Sequence, residues 1–302
     1  MQSAPIKLLE VRRLFSSPSR VEGAQFLFRE IASRMAEKLD LIKIQPRHVL
    51  DLGCGLGVDI ERLIARFPEA VNLTGVDGSW EALMQSSWYK SEGMGTFESL
   101  LNRFSLLSKK TPQIDLICAN FANLPLRSKC ADVVWSNLAL HWHPEPDKVL
   151  REWHRVLAND GLVIFSCFGP DTFIELKRAF ATADDFSHTL AFVDMHDFGD
   201  MLGAAGFAAQ VMDVERITLS YANVDQLFVD VRAMGGNPLD SRRRGLLGKN
   251  AMMKVRDYLE KSRGNDGRIP LTIEVVFGHA FKPIPTKLAP GESIIRLDFP
   301  KR

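Results

Sequence analysis

The segment Val49-Leu50-Asp51-Leu52-Gly53-Cys54-Gly55-Leu56-Gly57 constrains this chain more than any other. The apolar run His48 to Leu52 is stopped by glycines and reads as a buried parallel strand, and Ile60, Leu63, Ile64 and Phe67 behind the glycines give a helix. A strand that passes through a glycine loop into a helix puts residues without side chains where the backbone must turn sharply and approach a ligand closely. Dinucleotide enzymes space such glycines as G-x-G-x-x-G, whereas here the sixth position is Val58 and the third glycine falls one residue early. That spacing favours a cofactor without a pyrophosphate. A second strand, Val71 to Val76, runs into Asp77, an acid placed to accept hydrogen bonds from both hydroxyls of a ribose. The bland alternative is a plain tight turn with a solvated Asp77.

The rest of the chain repeats the strand and helix alternation. An amphipathic helix spans Val21 to Leu39, with Leu27, Phe28, Ile31, Met35 and Leu39 at helical spacing, and Trp80, Leu83 and Met84 begin another after Asp77. An extra helix is expected in Ser91 to Thr111. Strands follow at Ile114 to Ala119 and Ala131 to Ser136, then a helix at Asp147 to Leu157, a turn at Asn159-Asp160-Gly161 and a strand at Leu162 to Phe168. Short linkers between these elements argue a parallel sheet with right-handed crossovers, five strands of it in place by Phe168. Beyond Gly169 the pattern changes. Helices are expected from Pro170 and around His196 to Ala205, and the strands Val211 to Tyr221 and Leu271 to Ala280 close the sheet, one of them antiparallel. Between those two strands, Ala222 to Pro270 carries two helical patterns and the basic cluster Arg242-Arg243-Arg244, a natural lid at the ligand-facing edge. The expected division is an N-terminal helical segment (1–46), a Rossmann-like core (47–221), a lid or substrate insertion (222–270), and a closing strand with a tail (271–302).

Composition excludes several function classes. An apolar share of 46% in 302 residues can build a substantial core, and a net charge of +1 gives no general basic field for nucleic acid. No run approaches the roughly 20 apolar residues needed to span a bilayer, and Met1 to Glu10 does not read as a secretory signal, so a cytoplasmic protein is expected. The four cysteines lack metal-ligand spacing and read as small buried side chains. His141 and His143 stand two apart with no third ligand nearby, so no metal is expected. Either His141 and Trp142 line a substrate pocket, or Trp142 packs its loop onto the following helix. The three arginines either clamp an acidic carrier or a substrate carboxylate, or are a solvated charge run.

With Val49 to Asp77, the runs Ala119 to Leu126, Ala131 to Trp142 and Arg155 to Leu162 resemble the ordered motifs of class I methyltransferases. More narrowly, Ser136 to Trp142, Phe168 to Thr172, Asp194 to Leu202 and Pro270 to Ile273 are similar to the malonyl-acyl-carrier-protein O-methyltransferases of biotin synthesis, over about Arg12 to Ala280. The resemblance implies a Rossmann-like class I fold with a mostly parallel seven-stranded sheet and a helical lid, S-adenosylmethionine as cofactor, and malonyl-acyl-carrier protein as partner. It implies that Gly53, Gly55 and Gly57 face the methionine and ribose parts of the cofactor and that Asp77 holds the ribose hydroxyls, with Asp51 and Gly78 also among the cofactor-binding residues. Asn120 and Phe121 would flank the adenine, and Asn137 and Leu138 the methyl group. His141, Trp142, Arg242, Arg243 and Arg244 are the candidate substrate residues. Many relatives carry Asp at the position of Asn120, whose amide can still accept a bond. Many also carry an aromatic residue where this sequence has Val21, so no aromatic gate is expected there. The chain also resembles a mitochondrial complex I assembly factor that hydroxylates arginine on the same fold; a small-molecule methyltransferase and a non-catalytic cofactor-binding regulator are further readings. A malonyl carboxylate is already ionised near neutral pH, so no catalytic acid or base is expected.

Overall fold

A computed structural model describes residues 6–86, 88, 113–242 and 245–285. The described residues form one seven-stranded sheet of order β3-β2-β1-β4-β5-β7-β6: β1 is His48–Leu52, β2 Asn72–Asp77, β3 Gln113–Cys118, β4 Ala131–Ser136, β5 Leu157–Phe168, β6 Ala208–Tyr221 and β7 Ile269–Phe281. The first five run parallel, and β7 lies antiparallel to both β5 and β6. The chain moves outward from β1 to β3 and then returns to the other side of β1 with β4. That reversal opens a crevice at the carboxyl ends of β1 and β4, where open α/β sheets hold ligands.

Alternation along the central strands divides the core. Val49, Val133 and Leu162 point into one apolar cluster, shared with the helices Gln25–Asp40, Ile60–Arg66 and Ile174–Ala181. Leu50, Val134 and Val163, one residue on, point into another, shared with the helices Pro146–Val156 and Met195–Ala204. Two buried faces explain why β1 and β4 read as continuous apolar runs. The insertion supplies the helices Val224–Ala233 and Lys249–Lys261. Among the described residues no helix is long and apolar enough to cross a membrane.

Several expected boundaries move. The long first helix begins at Gln25, after a short helix at Pro18–Val21 and a 3-10 turn at Glu22–Ala24, and a separate helix at Leu8–Phe15 precedes them. Asn159-Asp160-Gly161 is no turn between elements: β5 already starts at Leu157, and these residues form a bulge between the pairs Ala131↔Leu157 and Val133↔Leu162. The end of β7 holds that bulge, Lys282 N–H donating to Gly161 O at 2.9 Å and Asp160 N–H to Lys282 O at 2.8 Å. The helix expected from Pro170 starts at Ile174, because Phe173 adopts φ 62° and its N–H donates to Thr272 O. Cys118 is exposed and Cys130 partly so, whereas Cys54 and Cys167 are buried as expected. The helix expected in Ser91 to Thr111 falls outside the described residues.

Candidate cofactor site

At the crevice an open cavity of about 1150 Å³, mouth included, is floored by the glycine loop and the ends of β1, β2 and β4. Asp51 lies inside β1, opposite Gly75 of β2 and Trp135 of β4. It is 1% exposed, and its Oδ2 has no hydrogen-bond partner among the described residues. Burial first, then the neighbouring charges of Asp59 and Asp77, push its carboxyl well above the usual range.

The loop itself is fixed by backbone bonds. Gly53 and Cys54 N–H both donate to Val76 O, at 2.7 and 3.1 Å, tying the loop to β2. Gly53 has φ 83°, and a Cβ there would stand 2.2 Å from Ala139 Cβ, so this approach requires glycine. Asp77 accepts from Gly55 N–H at 2.9 Å through Oδ2 and from Ser79 N–H at 2.7 Å through Oδ1. Burial raises its carboxyl while these bonds and the Arg12 guanidinium pull it back. Each carboxylate oxygen keeps a further lone pair for a ligand hydroxyl.

Of the other residues singled out in the sequence, Gly78, Asn120, Phe121, Asn137, Leu138 and Trp142 line the cavity with Asp51, Gly53, Gly55 and Asp77. Asn120 Oδ1 accepts Ala122 N–H at 2.9 Å, which spends one of its two lone pairs on the local turn. Asn137 is more committed: its Nδ2 donates to Phe28 O at 3.0 Å and Asp59 Oδ2 at 3.1 Å, and its Oδ1 accepts from Ser166 Oγ at 2.9 Å. Its side chain ties three segments together. Leu138, at φ 51°, donates its N–H to Ser166 O and Oγ.

Three described residues stand elsewhere. Gly57 turns away from the cavity toward Ile60, Ser86 and Trp88. His141 packs behind it, its ring 4.8 Å from Phe168 and 5.5 Å from Phe192; burial pushes its imidazole down to about 3. Arg242 reaches Glu10 at 3.7 Å and Asn237 O at 3.4 Å on the surface, away from the cavity. Arg243 and Arg244 lie outside the described residues.

Sequence reasoning passed over the wall opposite the glycine loop. The helix Leu8–Phe15 turns Leu8, Val11, Arg12 and Phe15 to the cavity, at the i, i+3, i+4, i+7 spacing of one helical face. That spacing was legible. Val21 does line the cavity as an aliphatic residue, but Phe15 and Phe28 supply aromatic rings beside it. Asp59, buried beneath the loop, accepts from Trp135 Nε1 at 2.9 Å as well as from Asn137. No residue of 222–270 lines the cavity among those described. The insertion instead backs the wall: Ile6 bridges Leu239, Lys7 pairs with Asp240 at 2.6 Å, and Gly235 sits against Trp142 and Phe15, whose rings meet at 5.3 Å.

Comparison with known proteins agrees with this geometry. Residues 50–165 match a family model described as a methyltransferase domain. Solved structures with a similar fold include the YcgJ protein of Bacillus subtilis (TM-score 0.56, 14% identity, 83% of this chain and 98% of that one) and a putative methyltransferase of Bacillus halodurans (TM-score 0.55, 16% identity, 83% and 100%). The malonyl-[acyl-carrier protein] O-methyltransferase of Laribacter hongkongensis is 44% identical over 278 residues, 91% of this chain and 90% of the relative. The protein of the same name from Nitrosospira multiformis is 41% identical over 285 residues, 91% and 89%. With this identity over nine-tenths of both chains, the protein belongs to the malonyl-[acyl-carrier protein] O-methyltransferase family.

Proposed function

We propose that this chain methylates the free carboxylate of malonyl-acyl-carrier protein with S-adenosylmethionine, masking that charge for fatty acid synthesis on the route to biotin. The observation that carries the reading is a cavity holding three carboxylates, Asp51, Asp59 and Asp77, one of them with a buried oxygen that lacks a partner. An unsatisfied buried acceptor calls for a donor from the ligand. S-adenosylmethionine brings an ammonium and a sulfonium, whereas the pyrophosphate of a dinucleotide would meet repulsion from the same acids. In this reading Asp77 takes the ribose hydroxyls on its free lone pairs, Asp51 faces the cationic amino-acid part, and Asn120 and Phe121 border the adenine; their shared place in the lining supports it.

Held by Asp51, Asp77, Asn120 and Phe121, the cofactor would supply an electrophilic methyl group to the acceptor oxygen and leave as the neutral thioether, which keeps the electron pair of the broken carbon–sulfur bond. The protein's part is positioning and exclusion of water. Leu8, Val11 and Phe15 cover the glycine loop with apolar surface, and Asn137 locks Leu138 and the strand ends beneath it. No residue needs to take a proton, since the acceptor is an anion already. The insertion, with its arginines, is the proposed reader of the carrier protein.

Transfer of a labelled methyl group from S-adenosylmethionine to malonyl-acyl-carrier protein tests the reading. Product sensitive to base, as a methyl ester is, supports it. Cofactor binding without transfer would make the protein a regulator, and transfer to arginine or small molecules would replace the acceptor. Rescue of a biotin-requiring strain tests the pathway.

A further inference from the structure

Arg12 is the only cationic side chain among the described residues lining the cavity, since burial pushes the neighbouring imidazole of His143 down toward its neutral form. It projects from the helix Leu8–Phe15, with Nε 3.5 Å from the point where a Cβ on Gly78 would lie, beside Asp77. It lowers the Asp77 carboxyl through its charge alone. No hydrogen bond or ion pair holds its guanidinium among the described residues. Elsewhere on the same segment arginines are engaged: Arg13 pairs with Glu10 at 3.0 Å and Arg20 donates to Arg232 O at 3.1 Å.

From this geometry we infer that Arg12 is a clamp for a ligand carboxylate at the mouth of the cavity. A guanidinium offers two parallel N–H donors that match the two oxygens of a carboxylate. Asp77 is held by Gly55 and Ser79 N–H and acts on Arg12 only through its charge, so the guanidinium donors remain for a ligand. The inference rests on the proposed reaction, in which two participants carry such a group: the amino-acid end of the cofactor and the malonyl acceptor. Either one, seated between Arg12 and the glycine loop, would draw the helix Leu8–Phe15 over the site, because Leu8, Val11 and Phe15 travel with Arg12 on one face.

The test uses full-length Arg12→Gln and Arg12→Lys, with thermal melting to establish folding; Arg12 is exposed, so both should melt near wild type. Calorimetry compares S-adenosylhomocysteine with 5′-methylthioadenosine, which has the nucleoside but no amino-acid part, and initial rates are measured against a small malonyl thioester. If the clamp holds the cofactor, Arg12→Gln weakens S-adenosylhomocysteine by roughly 10-fold or more and leaves methylthioadenosine unchanged. If it holds the acceptor, S-adenosylhomocysteine is unchanged and KM for the malonyl thioester rises by a similar factor at constant kcat. In either case Arg12→Lys recovers part of the loss. Equal weakening of both nucleosides means that Arg12 acts only through Asp77 or the fold, and no change in any measurement means that it clamps nothing; both overturn the inference. Wild type that binds neither nucleoside refutes the cofactor reading itself, and the clamp with it.

Discussion

Gly53 lies directly beneath Ala139, so close that a Cβ at position 53 would stand 2.2 Å from the Ala139 methyl. Two separate motifs are thereby pressed together, and the loop has no room to move up without Ala139 moving too. Gly53→Ala adds this clash to a backbone at φ 83°. We expect a stability loss of about 1–3 kcal/mol and a larger loss of S-adenosylhomocysteine affinity. Thermal melting with and without ligand checks both; wild-type values for either would show that the loop adjusts freely.

Asp77 joins the glycine loop to the turn after β2 through Gly55 and Ser79. Asp77→Ala removes those ties and, with them, the proposed ribose acceptor, and should cost roughly 1.5–3 kcal/mol in cofactor binding. Calorimetric affinity for S-adenosylhomocysteine is the measurement, and an unchanged value would remove Asp77 from the site.

The raised carboxyl of Asp51 makes binding depend on pH. A carboxyl held above its unfolded value favours its protonated form, so in the empty protein it contributes stability at low pH that is lost as pH rises. A cationic ligand needs the ionised form. Affinity for S-adenosylmethionine should therefore climb with pH through the Asp51 titration and then level off, with a proton released on binding. Calorimetry in buffers of different ionisation enthalpy detects that proton, and Asp51→Asn should abolish the dependence.

His141 responds in the opposite direction. Its imidazole is depressed to about 3, so between pH 6.5 and 3 the unfolded chain takes up a proton that the folded chain refuses. Stability present above pH 6.5 is lost on acidification, on the order of 3–5 kcal/mol in full. His141→Leu should flatten the acid limb of stability against pH in denaturant titrations.

Reversal of Arg242, Arg243 and Arg244 to glutamate should slow transfer to malonyl-acyl-carrier protein far more than transfer to a small malonyl thioester. Carrier proteins of this type are acidic, and exposed charges steer encounter over about 8 Å at physiological ionic strength. The wild-type advantage on the carrier should shrink with added salt. Equal effects on both substrates would leave the arginines as a solvated run.

The floor of the site was legible because its signal is local: strand, glycines, helix and acid fall within Val49 to Asp77 and depend on one another through short-range geometry. The wall was not. The helix Leu8–Phe15 is only eight residues long, too short to hold by propensity, and it is secured by Leu239 and Asp240 from the far end of the chain. Asn137 was placed at the site from its motif, but its three hydrogen bonds to Phe28, Asp59 and Ser166 come from segments that no spacing brings together. His141 misled for the same reason. Adjacent residues on a tight 3-10 turn diverge, and only Trp142 of the pair reaches the cavity.

The bridge between Ile6 and Leu239 also sets an order in time. A ribosome adding about 5–20 residues per second makes β1, the glycine loop and β2 early, and reaches position 239 only after roughly ten to thirty seconds more. During that interval a nascent chain has the floor of the crevice without the secured wall that bears Arg12 and Phe15. Any contact that a ligand makes with this secured wall is therefore open only to chains that have passed position 239.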